Sequence, residues 1–273
     1  MFAPSTPPCF AQSEDIRSVH WAYSAFFGSG YYKLGDSPGV TVLRANLRRD
    51  IADPSYEAGR RKAGILLRVP ITVGHQGRFA GAEDIAEASL DTLSIVPGVE
   101  LPITIGERWT IKPQVSLGYG RAEGGNDSAW IYRAGLSSRY TFESRRFQWS
   151  LVNELAVIGY ADSNSGSQQS MPLTLGIEAS IPLRSRKIDD HPVTLHWHAS
   201  QTHYLGKLEI FEDYGKPFLE LDREWEFGAA FGKGDEPLRL WKFSWDRVGI
   251  ALRVDSDGDL AGMRLNFQSL FDR

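Results

Sequence analysis

The sequence predicts an all-β protein, a closed antiparallel up-and-down transmembrane β-barrel of about twelve strands. Three observations carry that prediction. The first is alternation, clearest between Leu90 and Arg121. There Leu93, Ile95, Val99, Leu101, Ile103 and Ile105 share one apolar face. After a turn at Gly106-Glu107-Arg108, Trp109, Ile111, Val115, Leu117 and Tyr119 continue it. Alternation with period two means a strand whose two faces meet different surroundings. The second is length: both limbs far exceed the ~5–6 residues of a soluble strand and match the ~9–11 needed to cross a bilayer as a barrel strand. The third is composition, with 27 glycines, 12% aromatic residues and no long apolar run. A membrane helix needs about 18–20 apolar residues, whereas barrel strands average their two faces out.

Taken in order, Val19, Trp21, Tyr23, Ala25 and Phe27 alternate and are taken as the first strand, although Ile16, Val19, Tyr23, Phe26 and Phe27 also fit a helical face. Pro38-Gly39 turns the chain into a second strand, Val40 to Ile51, ended by Asp53-Pro54. Ile65, Leu67, Val69, Ile71 and Val73 give the third, followed by a polar loop, His75 to Ser89, whose EDIAEAS section suits a short helix. Strands four and five are the limbs described above. Strand six carries Trp130, Tyr132, Ala134, Leu136, Tyr140 and Phe142 on its apolar face. Strand seven carries Phe147, Trp149, Leu151, Leu155 and Val157, with Asn153 interrupting the face and predicting a bulge. A polar, mobile loop is expected from Asp162 to Ser170. Strands eight, nine and ten follow around Leu173–Leu183, Val193–Ala199 and Leu219–Phe231. Strand eleven spans Leu238 to Val254 with a phase shift at Asp246-Arg247, and strand twelve runs from Leu260 to Phe271.

Twelve is an even number, as both termini on one side of the membrane require. Residues 19–273 then form one barrel, and 1–18 an N-terminal extension. In that extension Cys9 and Ala11 fit the small-residue positions of a secretory cleavage site, but Met1 to Pro8 has no charged or apolar region, so it reads either as the tail of a signal peptide or as an ordinary disordered N-terminus. Short turns at 106–108 and 144–145 and longer connections at 75–89, 162–170 and 207–218 suggest periplasmic and external ends respectively, although the connections at 52–61 and 185–191 blur the asymmetry. Aromatics sort the same way: Trp109, Tyr140, Phe142, Phe147 and Trp149 at one level, Tyr119, Trp130, Tyr132 and Tyr160 at the other, as two interfacial girdles. The formal net charge of -4 leaves no basic footprint for nucleic acid.

On these features the chain resembles Gram-negative outer-membrane barrels over nearly its whole length. The final strand resembles the insertion signal read by the barrel assembly machinery, with Gly262, Leu265 and Phe267 at its spacing and Phe271 beyond them. It departs from the pattern in having Leu260 where a polar residue is usual, and Asp272-Arg273 after Phe271. Size and strand number resemble the solitary autotransporter-type barrels without a passenger domain. That resemblance implies residence in the outer membrane among its lipid and lipopolysaccharide, with the assembly machinery as partner and no cofactor.

Candidate chemistry is sparse. His196, His198 and Ser200 share the inward face of strand nine. Twelve-stranded outer-membrane phospholipases use a His and a Ser two apart, so His198 and Ser200 define an alternative reading as a lipid-modifying hydrolase. The Ser-Asn-Gly that should follow is missing, and the pair points away from lipid. A nucleophilic serine also needs its histidine oriented by a third group. Asp255-Ser256-Asp257-Gly258-Asp259 has the charge of a calcium loop but lacks its distal glutamate and reads better as a hairpin turn. No metal site is predicted. The remaining inward charges are Arg68, Glu100, Lys112, Arg133, Arg139, Glu154 and Glu178. They suit either the lining of a narrow porin-like channel or a salt-bridged filling of a closed, structural barrel. A soluble periplasmic barrel is the third reading.

Overall fold

Alternation becomes pairing. In the computed structural model, which describes residues 21–34, 39–57, 60–76, 92–122, 128–162, 166–188, 191–213, 216–233, 238–240 and 243–272, twelve antiparallel strands close into one barrel. They are β1 (Gly30–Leu34), β2 (Val40–Ala52), β3 (Ile65–Gln76), β4 (segments Thr92–Ile95, Gly98–Glu100 and Ile103–Gly106), β5 (Trp109–Ala122) and β6 (Ser128–Ser144). β7 (Phe147–Asp162), β8 (Gly166–Ile188), β9 (His191–Asp213), β10 (Lys216–Gly232), β11 (Arg247–Asp255) and β12 (Leu260–Asn266) complete it. Each strand pairs with its sequence neighbours, and β1 pairs with β12, from Gly30 opposite Arg264 to Leu34 opposite Leu260. The start of β1 and the finish of β12 lie at one end, the terminal end; the opposite end is the distal end.

Outward residues are apolar on strand after strand. Leu47, Leu67, Val115, Leu136, Leu175, Phe227 and Leu252 are all exposed, Val115 at 58% and Leu252 at 57%. A water-facing barrel would carry a heavy aggregation liability with such a belt; in hydrocarbon it is the required surface. Aromatic rings edge it. At the terminal end Trp149 lies against Phe147 (5.8 Å) and Trp197 (5.1 Å), and Trp245 against Phe267 (5.8 Å). At the distal end Tyr119 meets Trp130 edge-on at 5.6 Å. Trp109 donates its indole N–H to Ser138 Oγ at 2.9 Å, the polar handle an interfacial ring needs.

Proline explains why β4 is broken. Val96-Pro97 and Leu101-Pro102 remove ladder donors, and the chain bends past each. Neighbouring strands still use the proline carbonyls: Leu117 N–H donates to Pro97 O (3.0 Å) and Gly64 N–H to Pro102 O (2.7 Å). Gly118 permits this approach, since a Cβ there would stand 2.1 Å from Ile95 O.

Several expectations require correction. Trp21–Phe26 is not a strand but a 3-10 turn, and only Gly30–Leu34 joins the wall. Ala22, Ala25 and Phe27 are buried inside the barrel, a spacing that no wall strand has. Asn153 causes no bulge, because β6 and β7 pair in unbroken register from Ala129–Asp162 to Ser144–Phe147. The polar stretches predicted as loops at 162–170 and 207–218 are largely strand: β8 begins at Gly166, and β9 and β10 run on to Asp213 and from Lys216. Beyond the bilayer both faces are wet, so alternation fades while backbone pairing continues. Strand eleven divides at its phase shift into a small hairpin, Leu238–Leu240 with Phe243–Trp245, and β11. The 52–64 connection also holds a hairpin, Ser55–Glu57 with Arg60–Lys62, so long connections occur at the terminal end too. Tyr160 points into the lumen, not into a girdle. β12 stops at Asn266, and Phe271 lies in a second 3-10 turn, Leu270–Asp272, inside the barrel rather than on a strand. The N-terminal extension 1–18 and the EDIAEAS section lie outside the described residues. Asp255 makes the hairpin turn, its Oδ1 accepting the N–H groups of Gly258 (2.8 Å) and Leu260 (3.0 Å).

Candidate functional site: the barrel lumen

The inward face of every strand meets the others across the barrel axis, so any chemistry lies there. Near the distal end the filling is apolar. The first 3-10 turn brings Ala22, Ala25 and Phe27 against Tyr32, Val42, Val96, Ile131, Tyr160, Tyr204 and Leu221. Phe27 stacks on Tyr32 at 4.9 Å, and Tyr32 donates its hydroxyl to Gly28 O at 2.8 Å.

Below this layer the lumen is ionic. Arg253 pairs with Glu224, and Arg133 with Glu154, which also accepts from Gln114 at 2.6 Å. Glu226 holds both Arg264 (3.2 Å) and His198 (2.9 Å). Arg44 reaches Ala25 O at 3.2 Å, tying β2 to the N-terminal turn. Isolated charges could not persist here, and pairing is what lets them be buried.

Nearer the terminal end Ser269 to Asp272, which follow β12, fold inward as a plug. Glu100 receives Arg68 and Lys112, each at 3.1 Å. Those cations also hold the tail: Lys112 donates to Phe271 O and Arg68 to Asp272 O. Lys112 Nζ lies 3.5 Å from the Asp272 carboxylate. The Phe271 ring has Lys112 over it at 4.4 Å and Arg139 at 4.6 Å, cation–π contacts in a desolvated setting. Leu270 N–H donates to Glu178 at 3.0 Å, and Glu178 is held by Arg247 at 2.6 Å. Burial would raise the Asp272 carboxyl, but Lys112, the Ser269 hydroxyl, Arg139 and Arg48 outweigh it and hold it below the ordinary carboxylate range.

Cavities lined by described residues include three. One of about 40 Å³ lies beside Arg44, Arg68 and Glu100. A central one of about 120 Å³ is bounded by Phe27, Arg133, Ser200, Glu226 and Leu270. A vestibule of about 420 Å³ at the terminal end is lined by Arg139, Ser150, Ser180, His196, Arg247 and Phe271. Val152, Leu270 and Phe271 form a buried apolar cluster between the last two.

All eight predicted lining residues face inward. Arg68, Glu100 and Lys112 come together with the tail; Arg133 pairs with Glu154; Arg139 covers Phe271; Glu178 joins Arg247. His196 stands apart, nine-tenths buried with neither ring nitrogen hydrogen-bonded. His198 has Glu226 on Nε2 and Asn266 3.5 Å from Nδ1, so an orienting group does exist. Yet Ser200 opens on a cavity of about 120 Å³, far smaller than a phospholipid and on the face away from lipid. Of the suspected insertion signal, Leu265 is exposed outward, Phe267 stacks on Trp245, and Gly262 lies beneath Tyr32. Phe271 belongs to the lumen. Sequence reasoning missed Arg44, Arg48, Glu224, Glu226, Arg247, Arg253, Arg264 and Asp272. Parity could have found two of them: Trp225 and Phe227 face out, which turns Glu224 and Glu226 in. Among the described residues no group of three or more His, Cys, Asp or Glu could hold a metal ion.

No family model matches the chain, and no curated protein matches it in sequence. Solved structures similar to it include the transport unit of the autotransporter AIDA-I from Escherichia coli, at 11% identity and TM-score 0.49 over 87% of this chain and 88% of that one. The beta domain of the Bordetella autotransporter BrkA is similar at 12% identity and TM-score 0.46, covering 88% and 92%. The siderophore receptor PirA from Pseudomonas aeruginosa is similar at 12% identity and TM-score 0.37, covering 86% and 39%.

Proposed function

We propose that this chain is a Gram-negative outer-membrane barrel, of the autotransporter type that its sequence resembles, whose lumen is closed by its own chain. It acts as a structural barrel rather than as an open channel or an enzyme. The observation that carries this reading is the content of the lumen. Among the described residues an apolar layer, an ionic layer and the inward tail follow one another along the axis. A membrane setting is supported by the exposed apolar belt with aromatic rings at both rims. The barrel's partners on this reading are outer-membrane lipid and lipopolysaccharide outside, and the assembly machinery during insertion.

Reconstitution of the purified protein into planar bilayers tests it. The expected record is flat, without conductance steps; steady ohmic conductance would overturn the closed-barrel reading. Extraction without detergent, together with gel mobility insensitive to heating, would overturn the membrane reading.

A further inference from the structure

The terminal-end plug shows what the lumen recognises. Ser269 to Asp272 is held as a ligand would be, its carbonyls, one N–H, its ring and its acid all meeting wall side chains. Two backbone carbonyls accept from Lys112 and Arg68. One backbone N–H donates to Glu178 at 3.0 Å. The aromatic ring sits among Lys112, Arg139 and Val152. The acid meets Lys112 at 3.5 Å and Arg48 at 3.9 Å. Lys112 and Arg68 are buried and anchored by Glu100 from the wall side, so their positions do not depend on the tail alone. The recognition set lies on β2, β3, β5, β6, β7 and β8, all of them strands of the wall.

Beside the tail lies the vestibule of about 420 Å³. Its wall carries His196, nine-tenths buried, with both ring nitrogens unpartnered. The buried Nε of Arg247 is likewise without a hydrogen-bond partner. Ser150 and Ser180 add hydroxyls. Buried polar atoms without partners are uncommon in folded proteins and call for an explanation. Ser269, Phe271 and Asp272 of the tail border this room, leaving both His196 ring nitrogens and Arg247 Nε without a hydrogen bond.

We infer that the terminal end of the lumen is a binding site for a peptide carrying an aromatic residue followed by an acidic one, filled in cis by Phe271-Asp272. A longer peptide of that kind, entering from the terminal end, places its aromatic–acidic pair on Lys112 and Arg139. Its remaining residues lie in the vestibule against His196, Ser150 and Ser180. This rests on the closed-barrel reading only in its geometry. The tethered tail competes at an effective concentration in the millimolar range, so free peptide binds the intact protein weakly.

The test uses the full chain in detergent micelles and a fluorescent peptide copying Gln268 to Arg273. Phe271→Ala/Asp272→Ala empties the ring and acid positions of the site and is expected to bind the peptide at least tenfold more tightly than the unaltered protein, by fluorescence anisotropy. Replacing the peptide's phenylalanine with alanine, or adding Lys112→Met to the protein, removes that binding. His196→Phe fills part of the vestibule and weakens this peptide, and weakens one lengthened by three residues more. Equal binding by unaltered and emptied protein would overturn the inference, as would no binding by an emptied protein whose gel mobility is still heat-modifiable. If the double variant does not fold, Asp272→Asn alone serves, with the same two overturning outcomes. Conductance is a separate readout: a conducting unaltered protein defeats the closed-barrel reading whatever the peptide does.

Discussion

Lys112 Nζ stands 3.5 Å from the Asp272 carboxylate, so a residue early in β5 grips the segment that follows β12, after the chain has travelled round the barrel. The same ammonium serves Glu100 at 3.1 Å. One side chain therefore joins the wall to the plug.

Removing that side chain leaves Glu100 with Arg68 alone and Asp272 short of its nearest cation. Breaking a buried ion pair by deleting one partner costs about 3–5 kcal/mol. Lys112→Met is expected to lower folding stability by roughly that amount, measured by urea titration in lipid vesicles. A change under about 1 kcal/mol would mean that the network is wet and contributes no more than surface pairs do.

Docking of the tail should resist acid. Because the folded Asp272 carboxyl is held below its ordinary range, its ionised form favours docking. That contribution is complete above the ordinary carboxylate value of about 4 and is lost only as pH falls beneath it toward the lowered value. Hydrogen exchange at Leu270 N–H reports this: protection is expected to be constant from neutral pH down to mildly acidic pH, and to fail below that. Asp272→Asn should lower protection throughout. Protection that fades at mildly acidic pH would contradict the assignment.

The outer belt predicts a depth-dependent penalty. Val115 is 58% exposed and lies midway along β5, so Val115→Arg places a charge in hydrocarbon. The expected destabilisation is about 2–4 kcal/mol, seen as a shift in the urea midpoint in vesicles. Arginine at Glu107, in the terminal-end turn, should be nearly neutral by the same measurement.

Close approach of backbones at the β4 break predicts a local failure. A Cβ on Gly118 would meet Ile95 O at 2.1 Å and Val96 Cα at 2.3 Å. Backbone atoms cannot yield as flexible side-chain ends can, so Gly118→Ala should destabilise the barrel, whereas Gly106→Ala, with open space around it, should not. Folding yield of the two variants, scored by heat-modifiable mobility, compares them directly.

The wall was legible in the sequence because its two faces meet different solvents. Leu67 against Arg68, or Ile111 against Lys112, already assigns outside and inside. What fills the barrel was legible only in part, since inward residues need partners but nothing local says which. Arg247 and Glu178 meet at 2.6 Å although they are 69 positions apart, and only closure of the barrel makes them neighbours. The two 3-10 turns were harder still. Trp21 to Phe27 alternates as a wall strand does, yet it is inside because the apolar distal layer needs its side chains. Phe271 sits where a strand-ending aromatic is expected, and no periodic signal distinguishes an outward ring from one drawn in by Lys112 and Arg139. The hydrolase comparison shows the same limit: spacing put His198 and Ser200 on one face, while Glu226 entered from another strand.

Ser29 accepts the Arg44 N–H on its hydroxyl at 2.9 Å and returns a hydrogen bond to Arg44 O at 3.1 Å. A side chain thus occupies the place of the next rung on the β2 side, just before β1, while Ser29 O still accepts the Leu265 N–H at 2.7 Å on the β12 side. A little further along, Asn46 reaches Gln268 at 3.3 Å. The cylinder is zipped by backbone elsewhere and buttoned here. Under a mechanical load applied to its two ends the molecule should part along this line first, peeling β1 and β12 away in a low-force step before the long hairpins of β6 to β10 give way.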